Sequence, residues 1–479
     1  MSANRRSFIA GGAAAAALAS VPEIARGQGR TFTPEQFGAK GDSVTNDSRA
    51  FGRLAEAVNA AGGGTVAFRR TTYLVGEQFP NPAPRALYSW EPAKLLEFTG
   101  CTRPLLVRGN GARLLCANGL RFGTFEVSGQ RIEHRMPYLG PGVATPYRSM
   151  IHVLRCTGPV EISDFELDGN LPHLLIGGPY GDTGYQIPAT GLMLTDNLSD
   201  EIVRNVYTHH HGQDGMLING VDRALSPAPR RVISGVRSEY NARQGCSITG
   251  GRGYAFEKCR FSHTGRAVIA SAPGAGVDIE AEGGKKNRDF RFTDCEFVDN
   301  HGCGMVADSG DSEGAVFTRC TFIGTTAWSA WPFKPFFRFQ SCRFVGAMVR
   351  AYGDKDPQRA AQFTDCAWFD DPKLSPNGKI CLGGKPNYPI ADLSSSMNVR
   401  FVRCTFRMTH DGLLPWSWYA IYQDCRMSQA AKPTAYPKGK YLGTSIVNGP
   451  VDPYGTNVIG VLILNGKRYE KVQLGGKSW

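Results

Sequence analysis

The chain has 479 residues, of which 42% are hydrophobic, with 58 glycines, 29 prolines and a formal net charge of +12. It is long enough for a large core, divided into two or three domains or held in one repetitive β fold. The glycine and proline content points to many turns, and the basic balance points to an acidic partner such as a polyanion, or to a solvated basic surface. Beyond the N-terminus no stretch is long and apolar enough to cross a bilayer, which excludes stable membrane insertion.

Asn4-Arg5-Arg6-Ser7-Phe8-Ile9 precedes an Ala-rich apolar run, and Ala17-Leu18-Ala19 offers a cleavage site. This segment resembles a bacterial twin-arginine signal, which exports folded proteins. The run is too short and too rich in Ala and Gly for an anchor. Residues 1–27 are therefore assigned to the signal, and the mature protein is expected to be periplasmic or secreted.

From Ser48 to Ala61 the periodicity predicts a helix with Phe51, Leu54, Ala55 and Val58 on one face, capped by Asp47 or Ser48. Gly62-Gly63-Gly64 stops it, and Thr65-Val66-Ala67-Phe68 alternates as a strand. Phe37 to Asp42, Asn46-Asp47, Gly63 to Phe68 and Tyr73 together resemble the opening of the pectate lyase-like superfamily, in the branch shared by rhamnogalacturonases and epimerases. Arg69-Arg70 and Thr71 depart from the Pro and Gly usual there. The resemblance implies an all-β chain: a single-stranded right-handed parallel β-helix with an N-terminal capping helix and loop insertions.

An independent repeat supports that architecture. The phrases FEKCRF, FTDCEF, FTRCTF, FQSCRF, FTDCAW, FVRCTF and YQDCRM carry Cys259, Cys295, Cys320, Cys342, Cys366, Cys404 and Cys425. Successive spacings of 36, 25, 22, 24, 38 and 21 residues fit a solenoid with a period in the low twenties and loop insertions. Stacked coils would line up the cysteines and the second aromatic of each phrase at about 4.8 Å intervals. In-register neighbours on one sheet seldom reach bridging geometry, so the thirteen cysteines are read as a repeat position and not as a disulfide framework. Segments 76–100, 121–150, 170–190, 325–337 and 370–398 read as loops. The solenoid is assigned to 28–445, and 446–479, with a hairpin at Asn465-Gly466, to a C-terminal cap.

Four consecutive coils align on Gly215-Met216-Leu217-Ile218-Asn219, Gly245-Cys246-Ser247-Ile248-Thr249, Gly276-Val277-Asp278-Ile279-Glu280 and Gly304-Met305-Val306-Ala307-Asp308. The outward columns are then Leu217, Ser247, Asp278, Val306 and Asn219, Thr249, Glu280, Asp308. Carboxylates this close raise the pKa of one member, which supplies the acid and base of glycosidic cleavage. Asp278, Glu280, Asp308 and Asp214 are the candidate catalytic residues, with Glu280 or Asp308 as acid and Asp278 or Asp214 as base or nucleophile.

Around them, His211, Arg243, Gln244 and His301 are candidate substrate contacts, and Trp328 and Trp331 candidate stacking surfaces for sugar rings. The run His209-His210-His211 invites a metal reading, but adjacent residues point in different directions, and no metal site is assigned. Motifs of the polygalacturonase-like hydrolases, mannuronan epimerases and classical pectate lyases are absent, so no named activity carries over. The expected function is an exported carbohydrate-active enzyme, a glycoside hydrolase working with paired carboxylates on a polysaccharide or oligosaccharide. The alternatives are a polysaccharide lyase or uronate epimerase, or a non-catalytic glycan-binding solenoid. No cofactor is expected for the hydrolase, Ca2+ for a lyase. Nucleic acid is not an expected partner, and the assembly is a monomer or homotrimer.

Overall fold

The computed structural model describes residues 29–83, 88–132, 142–178, 187–383, 387–430 and 433–476. The segment read as an export signal, residues 1–27, lies outside them. Among the described residues one α-helix, α1 (Ser48–Ala60), accompanies a succession of short strands. Eight strands stack in parallel to form one face of the solenoid: β1 (Leu96–Thr99), β2 (Ser149–Leu154), β3 (Thr190–Thr195), β4 (Asp214–Asn219), β5 (Gln244–Arg252), β6 (Ala275–Ile279), β7 (Met305–Ala307) and β8 (Trp331–Pro332). Each regular coil then contributes two strands to a 27-stranded sheet, as in Tyr254–Glu257 and Arg260–Ser262. The architecture is a right-handed parallel β-helix.

The corner between those two strands explains the cysteine phrase. Lys258, Asp294, Arg319, Ser341, Asp365, Arg403 and Asp424 all take the left-handed conformation, with φ between 51 and 55°. Each costs backbone energy that the stacked coil must offset. Exposed pairs across coils, Arg319 to Asp294 and Arg403 to Asp365 at 2.7 Å, tie the corners together. The next residue is the cysteine, and its thiol donates to the carbonyl of the phrase's first aromatic one coil back. Cys320 reaches Phe292 O at 3.4 Å, Cys342 reaches Phe317 O at 3.4 Å and Cys404 reaches Phe363 O at 3.4 Å. A small soft donor suits this crowded inner corner.

The aromatics on either side stack face to face. One file runs Phe256, Phe292, Phe317, Phe339, Phe363 at centroid spacings of 4.5 to 4.9 Å. A second runs Phe297, Phe322, Phe344, Trp368, Phe406 at 4.6 to 4.9 Å. All thirteen cysteines are free; twelve are buried and Cys381 is half-buried. We therefore expect a thiol reagent to modify at most Cys381 in the native protein, and all thirteen only after unfolding. Fast native labelling of several repeat cysteines would contradict the ladder.

The helix α1 lays Phe51, Leu54, Ala55 and Val58 over the first coil. The proposed side-chain cap is not made. Asp47 instead accepts the amides of Lys40 and Gly41 at 2.7 and 3.0 Å, and Ser48 Oγ accepts Gly76 N at 2.8 Å. Asp47 thus closes the preceding loop, while Ser48 ties the start of the helix to the turn after Thr72–Val75. Arg69, where Pro is usual, reaches Glu35 at 2.8 Å and Lys40 O at 2.7 Å, and so fastens the same loop from the other side.

Five expectations are corrected. Segments 76–100, 121–150, 170–190, 325–337 and 370–398 are not loops alone: they contain β1, the first residues of β2 and β3, β8 and the strand Asp392–Leu393. The Pro, Gly and Tyr content that suggested loops belongs to strands such as Tyr88–Pro92 and Arg121–Thr124, which make a five-stranded side sheet. At the C-terminus, Thr456–Leu464 adds in parallel to the last coil and Lys467–Leu474 returns antiparallel through Asn465 and Gly466, at φ 49 and 81°. No helix among the described residues is long and apolar enough to cross a membrane.

Candidate active site

The registers of β4 to β7 bring the predicted acidic residues together. Leu217 pairs with Ser247, Ser247 with Asp278, and Asp278 with Val306. Val306 pairs with Trp331, so one outward column runs from Ser247 through Asp278 to Trp331. The second column breaks at its start: a bulge after Ile218 sets Asn219 against Gly250 and not against Thr249. Thr249 Oγ1 turns back to Ile218 O at 3.4 Å. Glu280 follows β6 and Asp308 follows β7, each one residue past its strand, so the same register sets them opposite each other.

A cleft over β5 and β6 is lined by Arg243, Gln244, Ser247, Asp278, Glu280 and Glu282, among others. Asp278 lies at its base, 7% exposed. Gln244 Nε2 donates to Asp278 Oδ2 at 2.8 Å, while Gln244 Oε1 accepts Ala275 N at 3.2 Å, which fixes the amide's orientation. Burial, and then the charge of Glu280, push the Asp278 carboxyl well above the usual range; Arg243 offsets part of this. Glu280, half-buried, accepts a short hydrogen bond from Ser309 Oγ. Glu282 stands at the rim, raised by partial burial and by Glu280 against the opposing pull of Arg243. Lys334 reaches Gly310 O at 2.7 Å; burial lowers its pKa while Asp308 and Glu280 pull it back.

Two of the expected carboxylates sit in environments unlike the rest. Asp278 is the member whose carboxyl burial pushes toward the protonated form. Asp214 is fully buried, and Arg243 takes both its oxygens, Nε to Oδ1 at 2.8 Å and Nη2 to Oδ2 at 2.5 Å. It anchors Arg243 beneath the cleft and offers no open carboxylate. Arg243 is thereby held as a fixed positive charge, with Nη2 also 3.4 Å from Ser247 Oγ.

His211 is corrected from ligand contact to interior residue. It is fully buried between Tyr147 OH at 2.8 Å, Thr208 Oγ1 at 2.9 Å and Leu167 O at 3.1 Å, and burial lowers its pKa to about 3. His301 sits over Gly274 on the turn before β7 and is not among the residues that line the cleft. Trp328 and Trp331, both half-buried, pack on Ala275, Cys303 and Val306, directly beside the carboxylate column. Lys285 and Lys286 do not neutralise the cleft: Lys285 bonds Asp196 at 2.5 Å and Lys286 faces Asp311 at 3.8 Å.

Three participants were missed by sequence reasoning. Glu282 continues the alternation Asp278-x-Glu280-x-Glu282 and was open to the same reading. Ser309, on the turn after β7, bonds Glu280, and Lys334, after β8, feels the charges of Asp308 and Glu280; no local signal marks either.

A family model described as "Right handed beta helix region" matches residues 151–333. A stretch of 46 residues is 52% identical to "Depolymerase 1, capsule KN3-specific" of Klebsiella phage KN3-1, covering 9% of this chain and 6% of that protein. Among solved structures, the N-terminal fragment of bacteriophage phi29 gene product 12 aligns with a TM-score of 0.51 at 13% identity, over 92% of this chain and 73% of that one. The A-module of Azotobacter vinelandii mannuronan C-5 epimerase AlgE4 aligns with a TM-score of 0.43 at 14% identity, over 90% and 99%. With the matched region running from within β2 to β8, the chain carries a right-handed parallel β-helix.

Proposed function

We propose that the chain is a glycan-cleaving enzyme, a glycoside hydrolase in which Asp278 is the general acid and Glu280 the carboxylate that activates water. The observation that carries this is the pair itself: one carboxyl enclosed, with burial pushing its pKa up, and its same-face neighbour two residues on oriented by a hydroxyl. Opposed environments of this kind separate acid from base. Asp278 donates its proton to the glycosidic oxygen as the bond to the anomeric carbon breaks. Glu280 takes a proton from the water whose oxygen bonds that carbon. The net change is addition of one water, after which the proton passes from Glu280 through solvent back to Asp278. Asp308 and Glu282 reinforce the charge that stabilises the oxocarbenium-like transition state.

Trp331 stands two coils from Asp278, about 9.6 Å along the solenoid, and offers a ring surface for a sugar beside the cleaved bond. The cleft is acidic although the chain is basic, which favours a neutral sugar at the cleavage point over a uronate. A lyase would have to neutralise a substrate carboxylate there, and a Ca2+ ion at Glu280, Glu282 and Asp308 is the means it would use. The resemblance to a phage capsule depolymerase over a short stretch supports a polysaccharide as the natural substrate, and the likeness of residues 4–19 to an export signal supports action outside the cytoplasm.

The test is a panel of neutral and acidic polysaccharides, followed by the pH dependence of kcat/KM on the one that is cleaved. Asp278 must be protonated, so its limb is expected as a loss of rate when pH rises through its elevated pKa. EDTA is expected to leave turnover unchanged. A strict Ca2+ requirement, or no cleavage of any glycan, would sink the hydrolase reading.

A further inference from the structure

On the large sheet, away from the carboxylate cleft, the histidine run divides in two. His211 turns inward, while His209 and His210 converge: their Nδ1 atoms are 2.7 Å apart and their rings nearly perpendicular at 82°. Asp168, one coil back and in register with His209, places Oδ1 3.6 Å from His209 Nδ1. One ligand atom from each of the three lies within 4.8 Å of the others. We propose that Asp168, His209 and His210 bind one divalent transition-metal ion of the Zn2+ class, with water completing its shell.

Several features go beyond mere proximity. Both imidazoles are held by stacking, His209 on Tyr207 at 4.1 Å and His210 on Tyr240 at 5.1 Å, so the convergence is built into the coil. His209 Nε2 faces Glu166 Oε1 at 3.4 Å, the carboxylate partner that commonly orients a ligating histidine and leaves the other nitrogen's lone pair for a metal. The remaining contacts of the carboxylates are accounted for. Asp168 Oδ1 accepts Asn170 N at 2.8 Å, Asp168 Oδ2 pairs closely with Arg113, and Glu166 Oε1 lies 3.1 Å from Arg113 Nε. Metal–nitrogen bonds of about 2.0–2.1 Å in a tetrahedron set ligand atoms roughly 3.3 Å apart, and the observed 2.7 and 3.6 Å bracket that value. Two imidazoles with one carboxylate select Zn2+ and its borderline neighbours over Ca2+ or Mg2+.

The ion would clasp two coils where the chain leaves the strand Glu201–His209 and turns through Gly212 into β4, whose first residue is Asp214. Its role is therefore structural, independent of the glycan reading. The test uses the full chain after EDTA dialysis, titrated with Zn2+ by calorimetry and with Co2+ by visible absorption. The expected result is one Zn2+ per chain and the visible bands of four-coordinate Co2+. The heat should vanish in His209→Ala and His210→Ala, and Glu166→Gln should bind about 10–100-fold more weakly. Unfolding temperature should rise with Zn2+ in the wild type and not in His210→Ala. Failure of the wild type to bind either ion, or unchanged binding in both histidine variants, would overturn the site and leave only a hydrogen bond between the two rings.

Discussion

Asp278→Asn and Glu280→Gln are each expected to lower turnover of the cleaved glycan by about 10²–10⁴-fold, with the fold intact by circular dichroism. The two variants should differ in what else they change. Asp278→Asn removes the alkaline limb of the pH profile, because the enclosed carboxyl whose pKa burial and Glu280 push up is gone. It should also alter stability with a predictable sign. The folded state keeps this proton to a higher pH than the unfolded chain, in which a free Asp titrates near about 3.9. Its contribution is fully present below that pH and is lost as pH rises toward the folded pKa. Above that window the ionised side chain is a burden, so Asp278→Asn should melt a few degrees higher than wild type at alkaline pH. Glu280→Gln, half-exposed, should show no comparable gain. An active-site residue that destabilises its own fold is a common cost of function. Retention of full turnover in both variants would remove the pair from the chemistry.

Phe317→Ala is expected to destabilise the protein by about 3–5 kcal/mol, measured by denaturant unfolding. Phe317 is fully buried, stacked on Phe292 at 4.7 Å and on Phe339 at 4.9 Å, with edge contacts to Phe297 and Phe322. Its carbonyl is also the acceptor for Cys342, so local collapse into the gap would disturb the next corner. Because each coil rests mainly on its neighbours, the damage should spread along the solenoid and not stay at one residue. A loss below about 1 kcal/mol would mean that the aromatic file packs more loosely than these spacings indicate.

The fold was legible because a solenoid repeats its constraints. Seven aromatic-cysteine phrases announce one corner seven times, and an αL position followed by a thiol donor recurs at each, with stacked rings through most of them. The alignment of Gly276 with Gly304 followed from that regularity, and the observed pairing of Val277 with Met305 is the same register. Where the repeat is interrupted the sequence misled. The bulge after Ile218 shifts Asn219 by one partner, and a single inserted residue leaves no mark in a glycine-apolar pattern.

The candidate site was legible only in part. Alternation shows which residues face outward, so Asp278 and Glu280 were found together. It does not show how deeply each is enclosed, and enclosure assigns the roles. Asp214 looked equivalent to Asp278 until Arg243 was seen to occupy both its oxygens. The histidine run carried the same ambiguity. Successive side chains diverge in an extended strand, but the left-handed turn at His210, with φ 55°, swings its ring back toward His209 and sends His211 inward. Periodicity has no access to that one dihedral.

The most direct test of the central claim is digestion of the cleaved glycan in H2(18)O, with products analysed by mass spectrometry and by absorbance near the ultraviolet band of unsaturated uronates. The paired-carboxylate account predicts one 18O incorporated at each new reducing end and no rise in that absorbance, with both the cleavage and the label lost in Asp278→Asn. Products that absorb in the ultraviolet and carry no 18O would contradict it.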